Sequence, residues 1–136
     1  WGFPAAMGFA LARPDHIVVA TMGDGSYMFA NPVACHQLAE ALELPMIVLV
    51  LNNAEWGAVR QSVLDIYPAG HAARSNAVPL TSLSPSPDFV QIAKASRAWA
   101  RHVKDATEFE AALSEALDHV QARRGLALIE VAIGKS

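Results

Sequence analysis

Two uninterrupted apolar runs constrain this chain most: Ile17 to Met22 (IVVATM) and Met46 to Leu51 (MIVLVL). Neither alternates polar with apolar residues, and both are rich in β-branched side chains. Such runs are the pattern of strands buried on both faces, as in a parallel sheet between two helical layers. The residues between and after them read as helices. Pro4 to Leu11 is an apolar helix that stops before Arg13-Pro14, because a proline pushes the preceding residue out of the helical region. Asn31 is placed to cap a helix with Pro32 in its first turn, and Ala34, Leu38, Ala41 and Leu42 then fall on one predicted inward face, with His36, Glu40 and Glu43 opposite. Ser86-Pro87-Asp88 opens another helix with Phe89, Ile92 and Ala93 inward. Trp99 to Val103 is a short strand, and Thr107-x-x-Glu110 resembles a capping box. The last helix carries Phe109, Leu113, Ala116, Leu117 and Val120 on one stripe, ends at Arg123-Arg124 with Gly125 as its stop, and leads into the strand Leu126 to Ile133. Alternating strands and helices predict one α/β domain over residues 1–136, an open parallel sheet with helices on both faces and right-handed crossovers.

Composition supports a single cored domain. The 136 residues are 53% apolar, enough to bury a core without staples and too few for two domains. Ten basic residues against 13 acidic ones, without runs, give a net charge of −3 and no electrostatic footprint for nucleic acid or an anionic membrane. The opening apolar stretch is too short to span a bilayer. The single Cys35 excludes an intrachain disulfide and suits a reducing, cytoplasmic setting. The chain begins at Trp1 and not Met, which predicts a segment of something longer, truncated at its N-terminus. Pro68, Pro79, Pro85, Pro87 and Gly70 make Ile66 to Pro87 an irregular connection of the length that forms lids, and His71 within it is a candidate mobile acid or base, though solvated loop histidines are commoner. Cys35-His36 lies mid-helix with no second Cys or His at ligand spacing, and reads as packing.

Ligands of open α/β sheets bind beyond the carboxyl ends of the strands. Both apolar strands end there in polar residues, Gly23-Asp24-Gly25-Ser26 and Asn52-Asn53, which the sheet makes neighbours. Gly23 and Gly25 permit close backbone approach, Asp24 offers a carboxylate oxygen, Ser26 a hydroxyl and N–H, and an asparagine an amide oxygen. Two side-chain oxygens and one carbonyl leave half an octahedron for water and a diphosphate, which suits Mg²⁺. A dinucleotide-binding reading of Gly23-x-Gly25 fails, because Met28 stands at the third glycine's place and the second strand ends without an acidic residue for a ribose.

Gly23-Asp24-Gly25-Ser26 with Asn52-Asn53 placed 26 positions after Ser26 resembles the fingerprint of thiamine-diphosphate-dependent enzymes. Gly2-Phe3-Pro4-Ala5-Ala6 and Asn52-Asn53-Ala54-Glu55-Trp56-Gly57-Ala58-Val59-Arg60 are similar to stretches of acetolactate synthases and benzoylformate decarboxylases, and Pro87-Asp88-Phe89 with the last helix and strand resembles the end of their C-terminal domain. The resemblance implies a thiamine-diphosphate-binding fold in which Asp24, Asn53 and the Glu55 carbonyl hold the metal. Ser26 with the Tyr27 and Gly57 N–H groups would hold the diphosphate, beside Gly23, Gly25 and the aromatic Trp56. It also implies a 2-oxo acid substrate, decarboxylation or carboligation, and a homodimer or homotetramer. The activating glutamate and the pyrimidine-binding domain would lie elsewhere in the same or another chain, so this chain alone would be inactive, or would be a separate binding subunit.

Overall fold

The structure is a computed structural model that describes residues 1–75, 81–123 and 125–134. Four strands, β1 (Val18–Gly23), β2 (Met46–Asn52), β3 (Trp99–Val103) and β4 (Leu126–Ala132), form one all-parallel sheet in the order β1-β2-β4-β3. Between and around them lie α1 (Gly2–Ala12), α2 (Asp24–Phe29), α3 (Pro32–Ala41), α4 (Gly57–Ile66), α5 (His71–Ser75), α6 (Phe89–Lys94) and α7 (Phe109–Arg123). The expected α/β architecture with a helical layer on each face is the observed one.

The two layers are unequal. One face of the sheet packs Met22, Met46, Val48, Val50 and Leu128 under α1, α3 and α6, joined by Phe3, Met7, Tyr27 and Phe89. The other face packs Ile47, Val103, Ala127 and Ile129 under α7, through Ala112, Ala116 and Val120 with Phe109, Leu113 and Leu117 at the margin. A single helix does not reach the edge strand, so Val19 and Thr21 of β1 are exposed. The expectation that both apolar runs are buried on both faces therefore holds for β2 and fails for β1, whose position at the sheet edge decides the matter.

Other local expectations change too. Helix α3 turns Cys35, His36 and Ala39 inward, leaving Ala34, Leu38, Ala41 and Leu42 outward. Periodicity offers two apolar stripes on this helix, and the inward one is selected because His36 meets the buried Tyr27 hydroxyl. The outward stripe and α1 line an apolar groove of about 310 Å³ through Met7, Gly8, Leu11, Leu38 and Leu42. Asn31 does precede α3, but in the left-handed region (φ 56°) and without a side-chain cap. The cap before α7 sits two residues earlier than the predicted box: Asp105 accepts from the Thr107 N–H at 2.9 Å, and Glu108 accepts from the Lys104 N–H at 3.3 Å. By contrast Asp88 caps α6 as its position predicts, accepting from the Gln91 N–H at 2.9 Å. Helices α4 and α5 are additions to the predicted order, and neither buries a residue. Residues 76–80 of the long connection, Pro79 included, and Arg124 of the predicted helix end lie outside the described residues.

Candidate cofactor site at the carboxyl ends of β1 and β2

Parallel pairing sets Gly23 of β1 opposite Leu51 of β2, so both polar strand ends emerge side by side. They open on a cavity of about 340 Å³ lined by Gly23, Asp24, Gly25, Ser26, Asn53, Glu55, Trp56 and Gly57 among others. Seven of the predicted site positions are thus side by side with Asp24; Tyr27 is the exception.

The β1 half is helical. Helix α2 starts at Asp24 itself, with Gly23 as its N-cap. The N–H groups of Asp24, Gly25 and Ser26 therefore belong to the first turn, which an α-helix leaves without internal partners, while the Tyr27 N–H is one position beyond them. Tyr27 instead contributes its side chain to the core: fully buried, stacked with Phe3 at 5.9 Å, edge-on to Phe89 at 5.2 Å, and hydrogen-bonded to His36 Nε2 at 2.6 Å. Burial pushes the phenol pKa up and holds the His36 imidazole down to about 4, so both are neutral near pH 7. Gly25 is required by contact, since a Cβ there would stand 2.5 Å from the Trp56 ring. Trp56 lies across Gly25 and meets Phe29 edge-on at 6.5 Å.

Asp24 is 1% exposed. Its Oδ1 accepts from the Gly25 N–H at 3.0 Å, while Oδ2 is buried with no hydrogen-bond partner among the described residues. Desolvation raises the carboxyl pKa, opposed by nearby N–H groups of Gly25, Ala54 and Glu55. A buried carboxylate oxygen left unmatched at a cavity wall is a costly arrangement unless something positive completes it.

The β2 half is an irregular turn held by polar contacts. Ala54 is left-handed at φ 56°. Asn52 Oδ1 accepts from the Ala54 N–H at 2.9 Å, and Asn53 Oδ1 accepts from the Glu55 N–H at 3.1 Å. The Asn53 oxygen retains a lone pair. The connection downstream clamps the turn, with the Trp56 N–H donating to the Thr81 carbonyl at 2.7 Å and the Leu83 N–H to the Ala54 carbonyl at 2.8 Å. Glu55's carboxylate pairs with Arg60 at 3.3 Å. Helix α4 begins at Gly57, which lines the cavity and whose N–H belongs to the helix's first turn.

Several partners of this site carry no motif signal. Glu130 of β4, 5% exposed, accepts from Asn52 Nδ2 at 2.7 Å, and the Ser86 hydroxyl reaches Asn52 Oδ1 at 3.4 Å. A charged residue inside the otherwise apolar β4 run is the one signal that could have marked Glu130. His71 is exposed at the start of α5 and does not line the cavity. Among the described residues no cluster of three His, Cys, Asp or Glu side chains could hold a metal. Any cation here would therefore draw on amide and carbonyl oxygens beside Asp24.

Together these features describe an α/β domain of the cofactor-binding kind, with its polar groups gathered at adjacent strand ends. The chain belongs to the family described as "Thiamine pyrophosphate enzyme, C-terminal TPP binding domain", which matches residues 1–131. It is 34% identical over its whole length to the acetolactate synthase isozyme 3 large subunit of Escherichia coli K12, and 30% identical over 99% of its length to the mitochondrial acetolactate synthase catalytic subunit of Saccharomyces cerevisiae. It spans 22% and 18% of those two proteins. Among solved structures, benzoylformate decarboxylase from Polynucleobacter necessarius superimposes with a TM-score of 0.80 at 29% identity, over 98% of this chain and 23% of that one. A thiamine diphosphate-dependent 4-hydroxybenzoylformate decarboxylase from Rhodococcus jostii RHA1 gives 0.74, again at 29%, over 99% of this chain and 23% of that one.

Proposed function

We propose that this chain forms the metal- and diphosphate-binding half of an active site in a thiamine-diphosphate-dependent 2-oxo acid carboligase or decarboxylase of the acetolactate synthase type. The observation that carries the reading is Asp24 Oδ2, buried and unmatched at the wall of a cavity shared with Asn53 and Glu55. That donor set is all hard oxygen, which suits Mg²⁺. Asp24, Asn53 and the Glu55 carbonyl hold the metal. The Ser26 hydroxyl, the Ser26 N–H and the Gly57 N–H take the diphosphate oxygens, because helix-start donors favour anions, while the Gly25 N–H is already held by Asp24 Oδ1. The Tyr27 N–H, one residue deeper in α2, is the weakest of the proposed donors. Trp56 excludes water from the Gly25 side. When bound, thiamine diphosphate supplies the carbon nucleophile and electron sink that release carbon dioxide from a 2-oxo acid.

The remaining residues of the active site belong to a pyrimidine-binding domain of the same or another polypeptide. Two features support a larger assembly: the chain spans about a fifth of its curated relatives, and Leu38, Leu42, Phe9 and Trp1 leave apolar surface uncovered. A benzoylformate decarboxylase-like lyase is a second reading, favoured by the superposition with those enzymes. Asp24→Ala in the complete protein is expected to abolish Mg²⁺-dependent thiamine diphosphate binding in calorimetry, while Cys35→Ala, on the inward face of α3 and outside the cavity lining, retains it. Undiminished binding in Asp24→Ala would overturn the assignment. Turnover of pyruvate against benzoylformate separates the two enzyme readings.

A further inference from the structure

The first asparagine of the Asn52-Asn53 pair has no place among the proposed metal ligands, yet both its Nδ2 and its Oδ1 are hydrogen-bonded. We propose that Glu130 is a positioning residue for the metal site, acting through the Asn52 carboxamide to hold the turn that presents Asn53 and the Glu55 carbonyl; this rests on the functional reading above.

An ionised carboxylate only accepts, and a backbone N–H only donates. With Glu130 on one side and the Ala54 N–H on the other, the Asn52 amide has one acceptable orientation: Nδ2 toward Glu130 Oε1 at 2.7 Å and Oδ1 toward Ala54 N at 2.9 Å. Ala54 needs that hold. A left-handed conformation is unfavourable for any residue with a Cβ, and such strain persists where the surroundings over-determine it. The residues on either side of this bend, Asn53 and Glu55, are the ones that would serve the metal. Among the described residues no other hydrogen bond accounts for the burial of Glu130. It interrupts the apolar β4, projects on the same face as Leu128, and Asn52 is its only hydrogen-bond partner among the described residues. A buried carboxylate with one partner and a cavity of about 420 Å³ beside it adds nothing to core stability. Its contribution lies in orienting the amide.

The experiment is a donor–acceptor exchange, read by calorimetric titration of the complete protein with thiamine diphosphate and Mg²⁺. Asn52→Asp removes the donor and sets two carboxylates face to face; binding should weaken on the order of tenfold to a hundredfold, the range for losing a hydrogen bond to a buried charge. Glu130→Gln keeps an acceptor for Asn52 and should cost no more than about threefold, well under that range. In the double variant Asn52→Asp/Glu130→Gln the carboxamide and carboxylate have exchanged sides, the pair is restored, and affinity should return to within about threefold of wild type. Glu130→Leu should lose binding as Asn52→Asp does; if it fails to fold, the exchange still decides. Wild-type affinity in Asn52→Asp, or a double variant no better than that single one, would overturn the proposal. Asp24→Ala serves as the control. If it binds normally the functional reading itself has failed, and if it does not bind while Asn52→Asp does, only the role of Glu130 is lost.

Discussion

The two halves of the site are built from opposite materials. On the β1 side, α2 is fixed from beneath by a packed aromatic cluster of Tyr27, Phe3, Phe89 and His36, neutral and closed to solvent. On the β2 side, the turn from Asn52 to Gly57 is half exposed and strained at Ala54, held by hydrogen bonds to Glu130, Ser86, Thr81 and Leu83. The first half is positioned by burial, which is non-directional and tolerates small displacements. The second is positioned by donors and acceptors, where exchanging one atom reverses an interaction. The difference teaches that damage to α2 registers first as lost stability, whereas damage to the asparagine turn registers first as lost binding.

The largest effect that sharpens this contrast is expected of Tyr27→Ala. Removing a fully buried aromatic ring should destabilise the domain by about 3–5 kcal/mol in denaturant titration. Should Tyr27→Ala unfold at the wild-type midpoint, burial would not be what fixes α2.

A somewhat smaller effect is expected from acid. His36 has a folded pKa of about 4 against 6.5 for the free side chain, so the unfolded state takes up its proton first. Stability from this group is complete above pH 6.5 and lost as pH falls toward 4, on the order of 3 kcal/mol across that window. His36→Gln should flatten that part of the stability-against-pH curve. An identical curve in the variant would show that another group is responsible.

The smallest effect belongs to the polar half. Ala54→Gly relieves the left-handed strain but loosens the unfolded chain, a net stabilisation of roughly 0.5 kcal/mol, while Ala54→Val should destabilise by more than that. Equal and opposite behaviour, with valine tolerated, would remove the strain from the account.

Much of the framework was legible because it depends on local pattern. The apolar runs of β2 and β4, the proline stops, the Asp88 cap and the stripe of α7 follow from residue type and period. So does the meeting of Gly23-Asp24-Gly25-Ser26 with Asn52-Asn53, since adjacent parallel strands must end at the same edge. What pattern left undecided involved partners distant in sequence. The inward face of α3 depends on His36 finding Tyr27. The exposure of Val19 depends on α7 not extending over the edge strand. Helix α4 buries nothing, so no core contact marked it out.

By itself, then, the sequence determined a parallel α/β domain with its hard-oxygen donors gathered at one edge, because strand period, helix stops and motif spacing are properties of short segments. Only the tertiary structure decided that Tyr27 serves the core, that Gly25 makes room for Trp56, and that Glu130, 78 residues from Asn52, orients its amide. Those outcomes depend on which groups fold against one another, and a hydrogen bond or close contact between distant residues leaves no period in the chain.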